Sequence, residues 1–116
     1  MQIRIAAPAD AEAVERVRIR GWQTAYRDVF PPAELDALEI DPSRFVRPAD
    51  GVTTYVAAGD GGLVGFVTIG PSAEEAGTGE LKALYVDPDS WSLGVGQALL
   101  AFGEARLAAA HREATL

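Results

Sequence analysis

The chain has 116 residues, 48% hydrophobic and 23% charged, with 17 acidic against 10 basic side chains and a formal net charge of −7. That length suits one small domain with a modest core, and the acidic balance excludes a nucleic-acid or anionic-membrane surface, which needs clustered Lys and Arg. Cysteine is absent and histidine occurs once, at His111, so disulfides, thiolate nucleophiles and a His/Cys metal site are excluded, and no metal is expected.

Gln2 to Ala6 alternates polar and apolar residues, with Ile3 and Ile5 on one face, which predicts a short strand. Pro8 suits a first helical turn, and Asp10 and Glu12 suit its positive end, whereas Ala7 is a poor cap. A helix is expected from about Pro8 to Tyr26. Val14, Val17, Gly21, Trp22 and Ala25 form its apolar face, and Glu15, Arg16, Arg18 and Arg20 fall mostly elsewhere. Trp22 and Tyr26 share a face, either as core or as the wall of an acceptor pocket. The opening MQIRIAAPAD lacks the apolar segment of a signal peptide, and no apolar run approaches ~20 residues. A cytoplasmic protein without a membrane span is therefore expected.

Pro32 to Glu39 reads as a short second helix, and Asp41 to Gly51, with Asp41-Pro42 and Asp50-Gly51, as a loop. Val52 to Ala58 is rich in β-formers, Asp60-Gly61-Gly62 signals a hairpin, and Leu63 to Ile69 is apolar enough for a central strand. Gly70 to Thr78 is a polar loop. Glu80 to Val86 forms the next strand, followed by the Asp87-Pro88-Asp89 turn, Gly94, Gly96 and an Ala/Leu-rich helix. The order β-α-α-β-β-β-α, with a β fragment at the end, predicts an α/β (α+β) domain with a central sheet and helices on both faces.

The run from Gly79 to Ala110 concentrates the chemistry. A strand, a glycine-bearing turn and a helix start make an anion site, because the first helical N–H groups lack internal partners and carry partial positive charge. Glycine lets main chain approach a pyrophosphate closely. On a regular strand Glu80, Lys82, Leu84 and Val86 share one side, and Leu81, Ala83 and Tyr85 the other. Either the first side opens into a solvated cleft or Glu80 and Lys82 pair; a bulge would shift the alternation.

ELKALYVDPDSWSLGVGQALL resembles the GNAT superfamily of acyl-CoA-dependent N-acetyltransferases: a strand ending in a V-x-P turn, then (Gln/Arg)-x-x-Gly-x-(Gly/Ala), then a helix. The pattern falls on Trp91-Ser92-Leu93-Gly94-Val95-Gly96. The upstream element order and the WQTAY segment agree, so the resemblance covers essentially the whole chain, 1–116, as one domain. It implies a mixed, mostly antiparallel sheet and acetyl-CoA as co-substrate. It further implies that main-chain groups of Leu84, Tyr85 and Val86 bond the pantetheine amides like an added strand, and that amides of Ser92, Leu93, Gly94, Val95, Gly96 and Gln97 hold the pyrophosphate. Trp91 stands where the family has Gln or Arg. It looks tolerable there because amides, not that side chain, would make the phosphate contacts. Ser92 replaces a common Gly and Leu93 a frequent Arg, which removes positive charge.

The resemblance places a general base at Glu80, six residues before Val86, to take a proton from the attacking amine, with a strand amide near Leu84 or Tyr85 on the oxyanion. Pairing with Lys82 instead would hold Glu80 charged and make it a poorer base. Family members continue through a full fifth strand, a helix and further strands; this chain reaches Ala114-Thr115-Leu116, where the fifth strand would begin, so a truncated sheet is expected. The absent part normally supplies one side of the opening for the pantetheine arm. An exposed edge motivates a homodimer that completes the sheet. The function expected is acetyl transfer to a small-molecule or peptide amine held near Trp22 and Tyr26. The alternatives are a catalytically impaired relative that binds CoA weakly and, outside the family, an unrelated phosphate-binding module.

Overall fold

The computed structural model describes residues 1–26, 28–29, 33, 51–72, 74, 77–110 and 113–115. Apart from Ala33 and Gly51, the second helix expected at Pro32–Glu39 and the loop at Asp41–Gly51 lie outside the described residues, as does His111.

Five strands form one sheet: β1 Gln2–Ile5, β2 Thr53–Gly59, β3 Gly62–Pro71, β4 Thr78–Val86 and β5 Glu113–Thr115, in spatial order β1-β2-β3-β4-β5. The first three pairings are antiparallel and β4/β5 is parallel, so the sheet is mixed and mostly antiparallel, as expected. The two-residue turn Asp60-Gly61 closes the β2/β3 hairpin on the Gly59↔Gly62 pair. β3 lies at the centre of the sheet, which accounts for its nearly unbroken apolar sequence. The end fragment pairs with the start of β4, Thr78↔Glu113 through Glu80↔Thr115. Among the described residues no strand pairs with β4 on that side beyond Glu80.

The helices α1 (Ala11–Ala25) and α2 (Val95–Ala110) cover opposite faces. On the α1 side Val14 and Val17 pack with Val56 and Phe66, flanked by Ala83 and Tyr85. On the α2 side Leu99 and Leu107, both fully buried, pack with Ala57, Val67, Ile69 and Val86. No helix among the described residues is long and apolar enough to cross a membrane.

A 3-10 turn, Pro8–Asp10, precedes α1. Ala7 has no side-chain oxygen to cap with, and Asp10 compensates from inside: its carboxylate accepts from Ala7 N–H at 2.7 Å and from the Arg4 guanidinium at 2.8 and 3.1 Å. The Arg4 bond holds the Asp10 carboxyl below its usual range and raises Arg4 in turn.

Three expectations change. Glu15 is buried, not displayed: it is 3% exposed, and Arg18 grips its carboxylate with two bonds of 2.6 and 3.1 Å. The alternation along β4 also breaks. Thr68 pairs with Ala83 but Ile69 pairs with Leu81, so Lys82 is the extra residue of a bulge. Leu81 thereby joins Leu84 on the α2 side, and Glu80 and Lys82 do not share a face with Leu84 and Val86. The loop expected at Gly70–Thr78 is shorter than read, because β3 runs to Pro71 and β4 starts at Thr78, with Ser72 N–H donating to Thr78 O at 2.8 Å.

Candidate functional site

The end of β4, a short connection and the start of α2 form one continuous structure. The Asp87 carboxylate accepts from Asp89 N–H at 3.0 Å and Ser90 N–H donates to Asp87 O at 2.8 Å, which starts a 3-10 turn over Pro88–Leu93. Gly94 ends that turn at φ 79°, a left-handed conformation that a residue with Cβ adopts only at a cost, so this turn requires glycine. Ala98 N–H donates to Gly94 O at 3.1 Å and begins the helical ladder of α2. The N–H groups of Val95, Gly96 and Gln97 are then left without intrahelical acceptors at its positive end.

Gly96 differs from Gly94. It has no positive φ, and a Cβ there would meet only Val86 Cγ2 at an ordinary 3.6 Å. The protein's own packing does not call for glycine at this position, whereas a ligand lying on the helix start would. From Ser90 to Gln97 no side chain is charged, so an anion here would be held by main chain.

The β3/β4 ladder fixes which groups of β4 face the open edge. Asp87 N–H donates to Val64 O at 2.8 Å, so alternation turns the main-chain groups of Tyr85 toward β3 and those of Leu84 and Val86 outward. Of the three residues expected to bond an extended chain, Leu84 and Val86 have main-chain groups on the open edge and Tyr85 does not; Tyr85 turns its side chain toward α1. Its ring stacks on Phe66 at 5.4 Å between centroids and lies against Gly21 of α1, where a Cβ would come within 3.3 Å of Cδ1. Its hydroxyl accepts from Trp22 Nε1–H at 3.1 Å.

Trp22 and Tyr26 lie one turn apart at the end of α1, ring centroids 4.5 Å apart. With Gly21, Ala25, Leu84, Tyr85, Val86 and Trp91 they line a cleft of about 200 Å³. It brings together the expected acceptor wall, Trp22 and Tyr26, and the edge of β4. No charged side chain lines it among the described residues. Just outside, Arg20 donates to Asp87 at 2.7 Å and to Asp89 at 3.1 Å, tying α1 to the turn between β4 and α2.

Glu80 stands apart from this cleft. Its carboxylate lies 3.5 Å from Lys82 Nζ, beside β5 and four residues before Leu84, which is roughly 13 Å along a strand. Two partners escaped sequence reasoning. The sequence places Arg20 only off the apolar face of α1, and its acidic partners are 67 and 69 residues away. Trp91 donates its Nε1–H to Val86 O at 2.7 Å, so its side chain has a definite role at the strand edge.

Comparison with known proteins gives the family. The model of the acetyltransferase (GNAT) family matches residues 17–115. The chain is 34% identical over 107 residues to the uncharacterized N-acetyltransferase YuaI of Bacillus subtilis, covering 87% of this chain and 61% of that protein. It is 34% identical over 105 residues to aminoglycoside N(6')-acetyltransferase type 1 of Stenotrophomonas maltophilia, covering 85% and 62%. The chain thus spans about three-fifths of these curated relatives' length. Among solved structures, PaiA N-acetyltransferase from Thermoplasma acidophilum in complex with coenzyme A superposes with a TM-score of 0.75 at 21% identity, over 94% of this chain and 74% of that one. A putative GNAT-family acetyltransferase from Desulfovibrio desulfuricans gives 0.65 at 27% identity, over 93% and 66%.

Proposed function

The chain belongs to the acetyltransferase (GNAT) family, and on that premise we propose that it transfers an acetyl group from acetyl-CoA to an amine. The observation that carries the reading is the continuity of one segment: the outward main-chain groups of Leu84 and Val86 lead directly, through the Gly94 turn, to the N–H groups that open α2. An extended pantetheine arm pairs with Leu84 and Val86 as an added strand, and the pyrophosphate lies on the amides from Ser92 to Gln97. Gly96 supports this, since the fold itself tolerates a Cβ there.

The amine enters along Trp22 and Tyr26 and attacks the thioester carbonyl carbon. A C–N bond forms, the C–S bond breaks, and the thiolate leaves and takes a proton from solvent. The outward N–H of Leu84 stabilises the oxyanion. The amine's proton passes through water to Glu80, whose distance from the cleft excludes direct contact. The acceptor is a small-molecule or peptide amine. The net charge of −7 suits a cationic one, and the Stenotrophomonas relative is named for an aminoglycoside. Acetyl transfer is favoured over the impaired reading because family match and intact turn coincide.

Thiol release from acetyl-CoA, measured across an aminoglycoside, a polyamine and a peptide N-terminus, tests the activity. Acetyl-CoA-dependent release with at least one amine is expected, and none with any amine would remove the reading. Glu80→Gln should lower the rate several-fold, less than the roughly 10²-fold or more expected of a base within reach of the proton, because the relay through water is long. An unchanged rate would leave Glu80 as only the partner of Lys82.

A further inference from the structure

We propose that Trp91 competes with the co-substrate for the edge of β4 and so sets its affinity, an inference that rests on the acetyl-CoA reading above. An extended chain added to a strand edge exchanges hydrogen bonds with every second residue. On β4 the outward residues within the cleft are Leu84 and Val86, and the Val86 carbonyl is the last acceptor before the chain turns at Asp87. That carbonyl already accepts the Trp91 indole N–H at 2.7 Å. The indole reaches it from the 3-10 turn, which Asp87 caps and Arg20 ties to α1, so the ring is aimed back at the strand by a braced backbone.

Trp91 is 49% exposed and lines the same cleft as Leu84 and Val86. It therefore occupies the edge an incoming amide would use and is free enough to leave it. The Val86 carbonyl can accept two bonds, but the indole lies along the edge an incoming amide follows, so a ligand N–H that bonds Val86 displaces the ring, whose own N–H returns to water. The net gain from that contact is small, and the tryptophan lowers affinity relative to a side chain without the donor.

Trp91→Phe keeps an aromatic ring and removes the N–H; Trp91→Ala removes both. Isothermal titration with CoA should show Trp91→Phe binding about fivefold more tightly than the parent, the worth of one released hydrogen bond. The chain has two tryptophans. In ¹H–¹⁵N spectra the indole resonance lost in Trp91→Phe should move on CoA addition as its bond to Val86 breaks. If the parent binds CoA but both variants bind equally or more weakly, Trp91 is a wall and this inference falls alone. If parent and variants, folded by circular dichroism, all fail to bind CoA, the inference and the co-substrate reading fall together.

Discussion

Against α2 the sheet presents Val67, Ile69, Leu81 and Val86, with Leu99 and Leu107 filling the space between layers. Against α1 it presents Phe66, Ala83 and Tyr85, and the helix answers with valines at one end and Gly21, Trp22 and Tyr26 at the other. The α2 contact is held by aliphatic packing at its centre, with a Tyr55–Phe102 edge contact and Arg106 over both rings beside it. The α1 contact is held partly by directed bonds: Trp22 to Tyr85, and Arg20 to Asp87 and Asp89. Aliphatic packing tolerates small shifts, whereas a hydrogen bond fixes both partners in direction. The face that lines the cleft therefore ties helix to sheet by directed bonds, and the opposite face relies on leucine and valine at its centre.

That division can be broken by experiment. The largest effect should come from Leu99→Ala, which empties a fully buried site and should cost about 2–5 kcal/mol in urea unfolding. CoA affinity measured where the variant is still folded should stay within a factor of two, and a larger loss would mean the two faces are not separate. Gly96→Ala should do the opposite. Stability should hold or rise by up to about 1 kcal/mol from better helix propensity, while CoA affinity falls on the order of tenfold. An unchanged affinity in titration calorimetry would show that the helix start does not touch the co-substrate.

Arg20→Gln should cost about 1 kcal/mol, since Arg20 and Asp89 are solvent-accessible and only Asp87 is part-buried, and weaken CoA binding several-fold by loosening the turn. The parent's affinity should fall with added salt more steeply than the variant's; equal salt slopes would limit Arg20 to a stabilising role. The smallest effect belongs to Asp10→Asn, far from the cleft, at about 1 kcal/mol for a helix-start cap. The Asp10 carboxyl titrates below its ordinary 3.8 in the folded chain, so its contribution is present above that value and lost as pH falls through the folded one. The difference between parent and variant should be full at neutral pH and close in acid, as followed by thermal melts across pH.

What could be read from the sequence was what neighbours in the chain decide. The β2/β3 hairpin, the apolar centre of β3 and the run from β4 through Gly94 into α2 are each specified by periodicity and turn residues within one short stretch. The bulge at Lys82 was not legible as a position, because it is fixed by the register with β3; a strict two-residue period put Glu80 on the wrong side. Glu15 looked like a surface residue because its burial depends on what packs over α1, and a carboxylate with Arg18 three residues on can be buried as a pair. At the site, the glycines announced the helix start, but the alternation that turns Tyr85 inward and leaves Leu84 and Val86 outward needed the pairing partner. Trp91 showed only a departure from a pattern; the carbonyl it reaches is set by how the 3-10 turn folds back.

The hairpin closed by Asp60-Gly61 also bears on how the chain assembles. β2, β3 and β4 follow one another in sequence and in space, so their pairing closes only short loops, whereas β1 must find β2 from Gln2 to Ala58, across 56 positions. Loop-closure entropy favours the short closures first. The expected order is a β2–β3–β4 meander that forms early and recruits α2 from its own end, with β1 and α1 docking last. Pulse-labelled hydrogen exchange should then protect Val67 and Tyr85, whose N–H groups pair within the meander, before Arg4, and simultaneous protection would refute that order. On this route the strand edge exists before the aromatic wall that faces it, so the cleft is completed by the last step of folding.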